Sequence, residues 1–236
     1  MRSVKARLCL RGFKDLAVDS LATYSSAAGR WGQRVICIVA AQNRWPLISA
    51  DVSNAFLRGL TFKELAEAEG KPTREVSMEL PKDTIPLLQT FPGFRDFNVI
   101  VEILHLDRPA YGLNDAPRAW GLRLKRHFAS HNLLPTHCDN QIYVEHDSTG
   151  KLLAICSAHV DDIKIAATEQ KLAQIVKELE SAFEKVKVER GTFMHCGIQH
   201  IQDMTTYNIS LDQDKHIAAL RCANVTLLKD LSLIHI

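Results

Sequence analysis

The amino-acid sequence predicts an α+β fold in which helices pack on one face of an antiparallel sheet. Two amphipathic helical patterns occur in the second half of the chain, and each is followed by a segment with strand character. Two apolar segments there are separated only by Asp161 and Asp162, which is typical of a tight hairpin. Of the 236 residues, 46% are hydrophobic, so the chain can bury a substantial core.

The first half of the chain contains short predicted elements. A strand is predicted over residues 8–10, and Gly32 and Pro46 bracket a predicted helix of about three turns. A second strand over residues 47–52 ends at Ser53. The remaining predictions in this half are a polar irregular segment over residues 63–73, strands over 75–80 and 99–106, and a loop over 93–97.

The second half has a clearer periodicity. Pro117 suits the first turn of a helix, in which Trp120, Leu124 and Phe128 would share one face. Thr168 can cap a second helix with apolar residues at a 3.6-residue period. Strands are predicted over residues 140–145, 152–160, 163–167, 186–188 and 194–201.

The charge is unevenly distributed, although the formal net charge is only +2. Two basic groups stand out, one at the N terminus (Arg2, Lys5, Arg7, Arg11, Lys14) and one on the first predicted helix of the second half (Arg118, Arg123, Lys125, Arg126). They fit a localised phosphate-binding surface, and the alternative is a pair of solvated faces.

The six cysteines are scattered and form no Cys-x-x-Cys pair, which favours a reducing, intracellular setting. His195 and Cys196 are adjacent, but neighbouring side chains usually diverge, so we do not expect them to share a zinc ion. The sequence contains neither an apolar run of about 18 residues nor a signal peptide, so we expect no membrane association.

Asp51, Asp161 and Asp162 are the residues that most strongly suggest chemistry. Adjacent carboxylates repel each other unless a cation neutralises them, although an Asp pair in a turn is also common without any metal. Asp51 ends another apolar strand, and a sheet can bring two strand ends together. Three converging carboxylates resemble a two-metal nucleotidyl-transfer site that holds Mg²⁺.

Six sequence segments resemble the copia-type LTR retrotransposon reverse transcriptases and occur in the order found in that family. They are Lys5-Ala6-Arg7-Leu8 with Arg11-Gly12-Phe13; Asp51-Val52-Ser53-Asn54-Ala55-Phe56-Leu57-Arg58-Gly59; Tyr111-Gly112-Leu113; Ala116-Pro117-Arg118-Ala119-Trp120; Val160-Asp161-Asp162-Ile163; and Phe193-Met194-His195-Cys196-Gly197-Ile198. Each segment alone is weak, but all of them in order are highly specific.

The resemblance implies the fingers and palm of a right-hand polymerase, whose palm is a ferredoxin-like or RRM-like antiparallel sheet backed by helices, without a complete thumb. It assigns residues 1–230 to a reverse transcriptase fragment. The implied parts are fingers over 1–46 and 60–115, palm over 47–59 and 116–205, the start of a thumb or connection over 206–230, and an unmatched tail over 231–236.

The resemblance also implies roles for individual residues. Asp51, Asp161 and Asp162 would be catalytic, and Asp51, Asp161 and Val52 would hold two Mg²⁺ ions, with Mn²⁺ as an alternative. The nucleotide-binding residues would be Lys5, Arg7, Phe56 and Asp115, with Phe56 as an aromatic gate against a ribose 2′-hydroxyl or, alternatively, a core residue. The primer- or template-binding residues would be Arg118, His159, Met194 and Gly197.

Two positions depart from the family pattern. His159 stands where the family usually has Tyr, and Asn114-Asp115 stand where it has Lys-Gln. Asp115 would place a negative charge near a triphosphate, or would instead cap the helix that follows.

The implied function is an RNA-directed DNA polymerase that acts on dNTPs, an RNA template and a DNA primer–template duplex. Its expected partners are other parts of a Pol polyprotein, such as integrase and RNase H, in a cytoplasmic virus-like particle or the nucleus. Two alternatives remain: a decayed or domesticated fragment that binds nucleic acid without polymerising, and an unrelated RNA-binding domain with aromatic residues on an exposed sheet face.

Overall fold

The computed structural model describes residues 9–18, 21–23 and 27–220, and this part of the chain has the predicted α+β character. Three antiparallel sheets lie among these residues: one of six strands, one of three and one of two. The predicted strand over residues 8–10 is not confirmed, because Cys9 and Leu10 are not in a strand and residue 8 lies outside the described part.

The first half of the chain alternates helices with short strands. The elements are α1 (Arg30–Asn43), β1 (Leu47–Val52), a 3₁₀ helix (Ala55–Arg58), α2 (Phe62–Glu69), β2 (Val76–Met78), α3 (Ile85–Leu88) and β3 (Leu104–Leu106). The irregular segment predicted over residues 63–73 is wrong, because α2 occupies most of it. The side chains of Thr61 and Glu64 cap the start of α2 reciprocally, and Gly70 ends it at a φ of 64°.

The second half follows the predicted order more closely. Its elements are α4 (Ala116–Ser130), β4 (Leu134–Pro135), β5 (Ile142–His146), β6 (Leu152–His159), β7 (Asp162–Ala167), α5 (Glu169–Phe183), β8 (Val186–Arg190), β9 (Thr192–His195), β10 (Ile198–Gln202), β11 (Ile209–Asp212) and α6 (Asp214–Ala219). The single strand predicted over residues 194–201 is wrong, because a turn at Cys196 and Gly197 divides it into β9 and β10.

The six-stranded sheet has the order β4-β5-β6-β7-β1-β8, and each pair of neighbours is antiparallel. β1 therefore lies between β7 and β8. Its register places Asp51 opposite Asp162 on β7 and opposite Lys187 on β8. The three-stranded sheet consists of β11, β10 and β9, and the two-stranded sheet of β2 and β3.

Helices cover both faces of the six-stranded sheet, which corrects the prediction that they lie on one face. On one face α4 and α5 pack against apolar side chains of β1, including Ile48 and Ala50. On the other face α1 packs against Leu47 and Ala166. Since successive residues of a strand point to opposite faces, β1 needs apolar residues at both phases, and Leu47–Ala50 are all buried.

The segment before α1 is joined to the segment before α4 by a close backbone approach. The backbone N–H of Leu10 donates to the carbonyl of Tyr111 at 2.7 Å. A side chain on Gly12 or Gly112 would collide with the backbone of the other segment, so both positions require glycine. Among the described residues, no helix combines the length and the apolar character needed to cross a membrane.

Candidate functional site

Three carboxylates lie where the end of β1 meets the β6–β7 turn. Asp51 and Asp162 are directly opposite each other in an antiparallel pair, so their side chains leave the same face of the sheet. Asp161 occupies the turn itself, and its carbonyl accepts a hydrogen bond from the backbone N–H of Val52 at 3.1 Å. Asp51 and Asp161 are exposed and Asp162 is half-buried. The sheet register thus gathers the three acidic residues identified from the sequence.

The β6–β7 turn contains only Val160 and Asp161, because His159 and Asp162 already pair with each other. Val160 has a φ of 59°, an unfavourable value for a β-branched residue. The indole Nε1–H of the buried Trp120 donates to the Val160 carbonyl at 2.6 Å. A side chain of α4 thereby holds a strained turn in the position that presents Asp161.

Asp162 has defined partners on both sides. The Ser49 hydroxyl donates to its Oδ1 at 2.7 Å, and His195 Nδ1 lies 3.1 Å from its Oδ2. Burial alone would raise the pKa of this carboxyl, but the contacts with His195, Ser49 and the Cys196 backbone outweigh burial and lower the pKa. Asp162 is therefore held as a carboxylate by the protein itself.

A buried polar cluster lies beside Asp162, between the six-stranded sheet and the β9–β10 hairpin. Lys164 is 1% exposed, and its Nζ donates to the Gln33 carbonyl at 2.8 Å and lies 3.2 Å from His200 Nε2. Burial lowers the pKa of Lys164, and burial followed by the charge of Lys164 lowers that of His200 to about 4. This cluster was not predicted from the sequence, in which Lys164 lies within an otherwise apolar strand.

Phe56 and Arg118 occupy surroundings that bear on their predicted roles. Phe56 is half-buried, packs against the main core and lies 5.1 Å from the Tyr111 ring, centroid to centroid. It therefore has both a core contact and an accessible side. Arg118 Nε donates to Glu69 Oε1 at 3.1 Å, so its guanidinium is already bound by a carboxylate.

Asp115 is placed differently from either expectation. Its carboxylate is 2% exposed and accepts a hydrogen bond from Arg74 at 2.7 Å, so it is not available to a nucleotide in this arrangement. Arg74 also pairs with Asp15. Asp115 stands at the N-cap position of α4, but its side chain makes no capping hydrogen bond, so the cap prediction is wrong. Burial, only partly offset by Arg74, raises its pKa.

The remaining predicted residues lie on or near the β9–β10 hairpin, or outside the described part of the chain. Met194 is exposed, Gly197 lies in the hairpin turn with a φ of 75°, and His159 is half-buried at the end of β6. His159, Lys164, His195 and Cys196 line a cleft of about 520 Å³. Lys5 and Arg7 lie outside the described residues.

Sequence reasoning missed several side chains that hold this site together. Ser49 precedes Asp51 by two residues and therefore shares its face of β1, a signal that strand alternation could have provided. The helical spacing of Trp120 placed it on one face with Leu124 and Phe128, but that spacing does not reveal the hydrogen bond from its indole N–H. Arg74 and Gln33 come from distant segments, and only the tertiary fold brings them to the site.

The exposed carboxylates of Asp51 and Asp161 are hard oxygen donors of the kind that Mg²⁺ prefers. They stand on adjoining strand ends whose backbones are hydrogen-bonded through Val52. The donor set thus fits divalent cations with oxygen ligands.

The comparisons with known proteins identify a family. Residues 81–226 match the protein family described as reverse transcriptase (RNA-dependent DNA polymerase). The chain is 27% identical over 196 residues to the retrovirus-related Pol polyprotein from transposon RE2 of Arabidopsis thaliana, an alignment covering 83% of the chain and 12% of that protein. It is 28% identical over 169 residues to the RE1 polyprotein of the same plant, covering 71% and 10%.

A third similar protein is the retrovirus-related Pol polyprotein from transposon TNT 1-94 of Nicotiana tabacum. The identity is 26% over 215 residues, which cover 90% of the chain and 14% of that protein. The chain therefore spans between 10% and 14% of the length of these relatives.

Proposed function

Because this chain belongs to the reverse transcriptase (RNA-dependent DNA polymerase) family, we propose that it is a polymerase core that extends a DNA primer on an RNA template. Its resemblance to the copia-type enzymes is confirmed, and the reading as an unrelated RNA-binding domain is wrong. The proposed reaction joins a deoxynucleotide to the primer 3′-hydroxyl and releases pyrophosphate. The observation that carries the proposal is the register that places Asp51 opposite Asp162, beside the Asp161 turn.

In this proposal, Asp51 and Asp161 hold two Mg²⁺ ions, or Mn²⁺ as the alternative, together with the backbone of Val52. Bound metal would supply Lewis-acid stabilisation of the charge that develops during in-line phosphoryl transfer. Asp162 completes the acidic cluster, and the hydrogen bond from Ser49 together with the close approach of His195 orients its carboxylate. Trp120 and Val52 keep the Asp161 turn in place.

Other residues would handle the substrates. Phe56 would pack against the sugar as the aromatic gate, which its accessible side and the neighbouring Tyr111 ring support. Lys5 and Arg7 would contact the triphosphate, and His159, Met194 and Gly197 would face the primer end. Arg118 would bind phosphate only after leaving Glu69. Asp115 would not contact the nucleotide; it would instead pair with Arg74 at the N terminus of α4.

The proposed parts of the polymerase follow the sequence boundaries, with one adjustment. The six-stranded sheet, α4 and α5 would form the palm, and residues 60–115 the fingers. α1 falls in the predicted fingers range 1–46, yet it packs on the six-stranded sheet, so we propose that it supports the palm. Nucleic acid and the other segments of a Pol polyprotein would be the partners.

Primer extension tests the proposal. With poly(rA) template, oligo(dT) primer, Mg²⁺ and dTTP, the purified chain should incorporate dTTP, and Asp161→Asn should lower the rate by more than about a hundredfold. Asp96→Asn is the matched control, because it changes an exposed carboxylate outside the acidic cluster and should leave the rate unchanged.

Two outcomes would contradict the proposal. Equal rates for Asp161→Asn and wild type would show that this carboxylate is not catalytic. No incorporation by wild type, even with a relative's thumb segment fused to it, would favour a fragment that only binds nucleic acid. Electrophoretic mobility shift with the same primer–template would then measure that binding.

A further inference from the structure

The turn of the β9–β10 hairpin brings a histidine and a cysteine to Asp162. A carboxylate oxygen of Asp162, a ring nitrogen of His195 and the sulfur of Cys196 all lie within 4.8 Å of one another. Cys196 and Gly197 have φ values of 50° and 75°, the pattern of a two-residue type I′ turn. This turn curls the chain so that the adjacent side chains converge, contrary to the divergence expected from the sequence.

His195 provides an independent indication of a ligand. It is 1% exposed, and its Nε2 lies 2.9 Å from the Gln33 amide oxygen. Because that oxygen can only accept, the contact places a proton on Nε2. Nδ1 is buried, lies 3.1 Å from Asp162 Oδ2 and makes no hydrogen bond to any described residue. When Nε2 carries the only proton of this ring, Nδ1 presents a lone pair beside the Asp162 carboxylate, an arrangement that a bound cation would stabilise. A proton on Nδ1 would instead pair with that carboxylate.

We propose that Asp162, His195 and Cys196 form a binding site for a divalent transition metal of the zinc class, separate from the oxygen site at Asp51 and Asp161. Tetrahedral zinc with ligands at about 2.0–2.3 Å separates its donor atoms by roughly 3.3–3.8 Å. Because the three donor atoms lie within 4.8 Å of one another, side-chain movements of at most about 1.5 Å would bring them to these separations. Cys196 is exposed and can move that far without disturbing the core.

The types of donor atom distinguish the metal preference of the Asp162–His195–Cys196 site from that of the Asp51–Asp161 site. A thiolate and an imidazole select zinc or cobalt over Mg²⁺, whereas carboxylates alone suit Mg²⁺. Gln33 supplies the outer contact that metal-binding histidines usually have, since it orients the ring through Nε2. A metal ion here would link the β9–β10 turn to the strand that carries Asp162.

Cobalt spectroscopy tests the site on the full chain. Added Co²⁺ should produce a thiolate-to-metal charge-transfer band and visible bands of a tetrahedral ion, and one equivalent of Zn²⁺ should remove them in excess Mg²⁺. Cys196→Ser should abolish the charge-transfer band. Cys138→Ser, which changes another exposed cysteine, should leave the band intact. Gln33→Leu should weaken Co²⁺ binding roughly 10–100-fold.

These results are independent of polymerase activity. Asp51→Asn should retain the cobalt band even though it abolishes primer extension, so failure of one proposal is distinguishable from failure of the other. Circular dichroism would verify that each variant is folded. Absence of the band in folded wild type, or its persistence in Cys196→Ser, would overturn the metal site and leave His195 and Asp162 as an imidazolium–carboxylate pair.

Discussion

The β6–β7 and β9–β10 turns meet at Asp162, yet the protein supports them in different ways. Both contain two residues, and both begin with a non-glycine residue at positive φ, Val160 or Cys196. The β6–β7 turn accepts two hydrogen bonds, one from the Trp120 indole of α4 and one from the Val52 backbone of β1. The β9–β10 turn ends in Gly197, and both of its central residues are exposed.

The difference shows how two neighbouring sheets can supply a rigid and an adaptable component of the same site. An unfavourable backbone conformation persists where neighbouring groups leave no alternative. Val160 is fixed in this way by a buried aromatic side chain, whereas Cys196 is exposed and is held by its hairpin and by its backbone contact with Asp162. We therefore expect substitutions around the first turn to cost more free energy than substitutions in the second.

Of the substitutions that test the two turns, Trp120→Phe should cause the largest loss of stability. It removes the indole N–H that donates to the Val160 carbonyl and shrinks a residue that is 1% exposed. The free energy of unfolding should fall by about 2 kcal/mol, and primer extension should fall with it. Urea denaturation would measure the loss. Trp31→Phe is the control, because Trp31 is 77% exposed on α1, and an equal loss there would refute a special role for the indole.

Acid should weaken the support of the first turn through His127. Trp120 and His127 both contact the Phe183 ring, at centroid distances of 5.0 and 5.1 Å. Burial, followed by the nearby His131, lowers the pKa of His127 from 6.5 to about 4. Between these values the unfolded chain binds a proton that the folded chain does not, so stability falls as the pH drops from about 6.5 to about 4.

Because His127 is half-exposed, its contribution should be on the order of 1 kcal/mol, well below that of a fully buried histidine. His127→Gln should flatten the decline in urea midpoint over this pH range. The pKa of His200 is also lowered to about 4, so His200 contributes to the same decline and the difference between wild type and variant is the relevant quantity. Parallel curves for the two proteins would show that His127 does not contribute.

Cys196→Asn should have the smallest effect, and the effect should be favourable. Asn tolerates positive φ better than Cys does, and Asn-Gly is the preferred pair in a type I′ turn. The urea midpoint should rise by the equivalent of roughly 0.5–1 kcal/mol, while the cobalt charge-transfer band should disappear. A lower midpoint would mean that Cys196 is not strained in its turn.

Periodicity and turn chemistry predicted much of the second half of the fold. The face of α4 that contains Trp120, Leu124 and Phe128 is buried, and Thr168 caps α5 by accepting from the Lys171 backbone. Prediction failed where a local signal was weak or ambiguous. The polar sequence of α2 concealed its capping box, and the strand predicted from Met194 to Ile201 is interrupted by a turn at Cys196.

The sequence predicted the acidic centre of the candidate site but not the groups that hold it. Asp51, Asp161 and Asp162 were identified because carboxylates at the ends of apolar strands are costly without a cation. The contacts of Asp115 with Arg74 and of Arg118 with Glu69 were not foreseen, since each joins residues more than 40 positions apart. Residue spacing along the chain does not predict ion pairs between segments so far apart.

The sequence by itself determined the family, the α+β class and the carboxylates Asp51, Asp161 and Asp162, because each depends on residue types at fixed local spacings. Only the tertiary structure decided that Asp51 lies opposite Asp162, that Trp120 holds the Asp161 turn, and that His195 and Cys196 converge on Asp162. The physical reason is that register and burial depend on how whole strands and helices pack. Contacts between distant segments form only when that packing is complete.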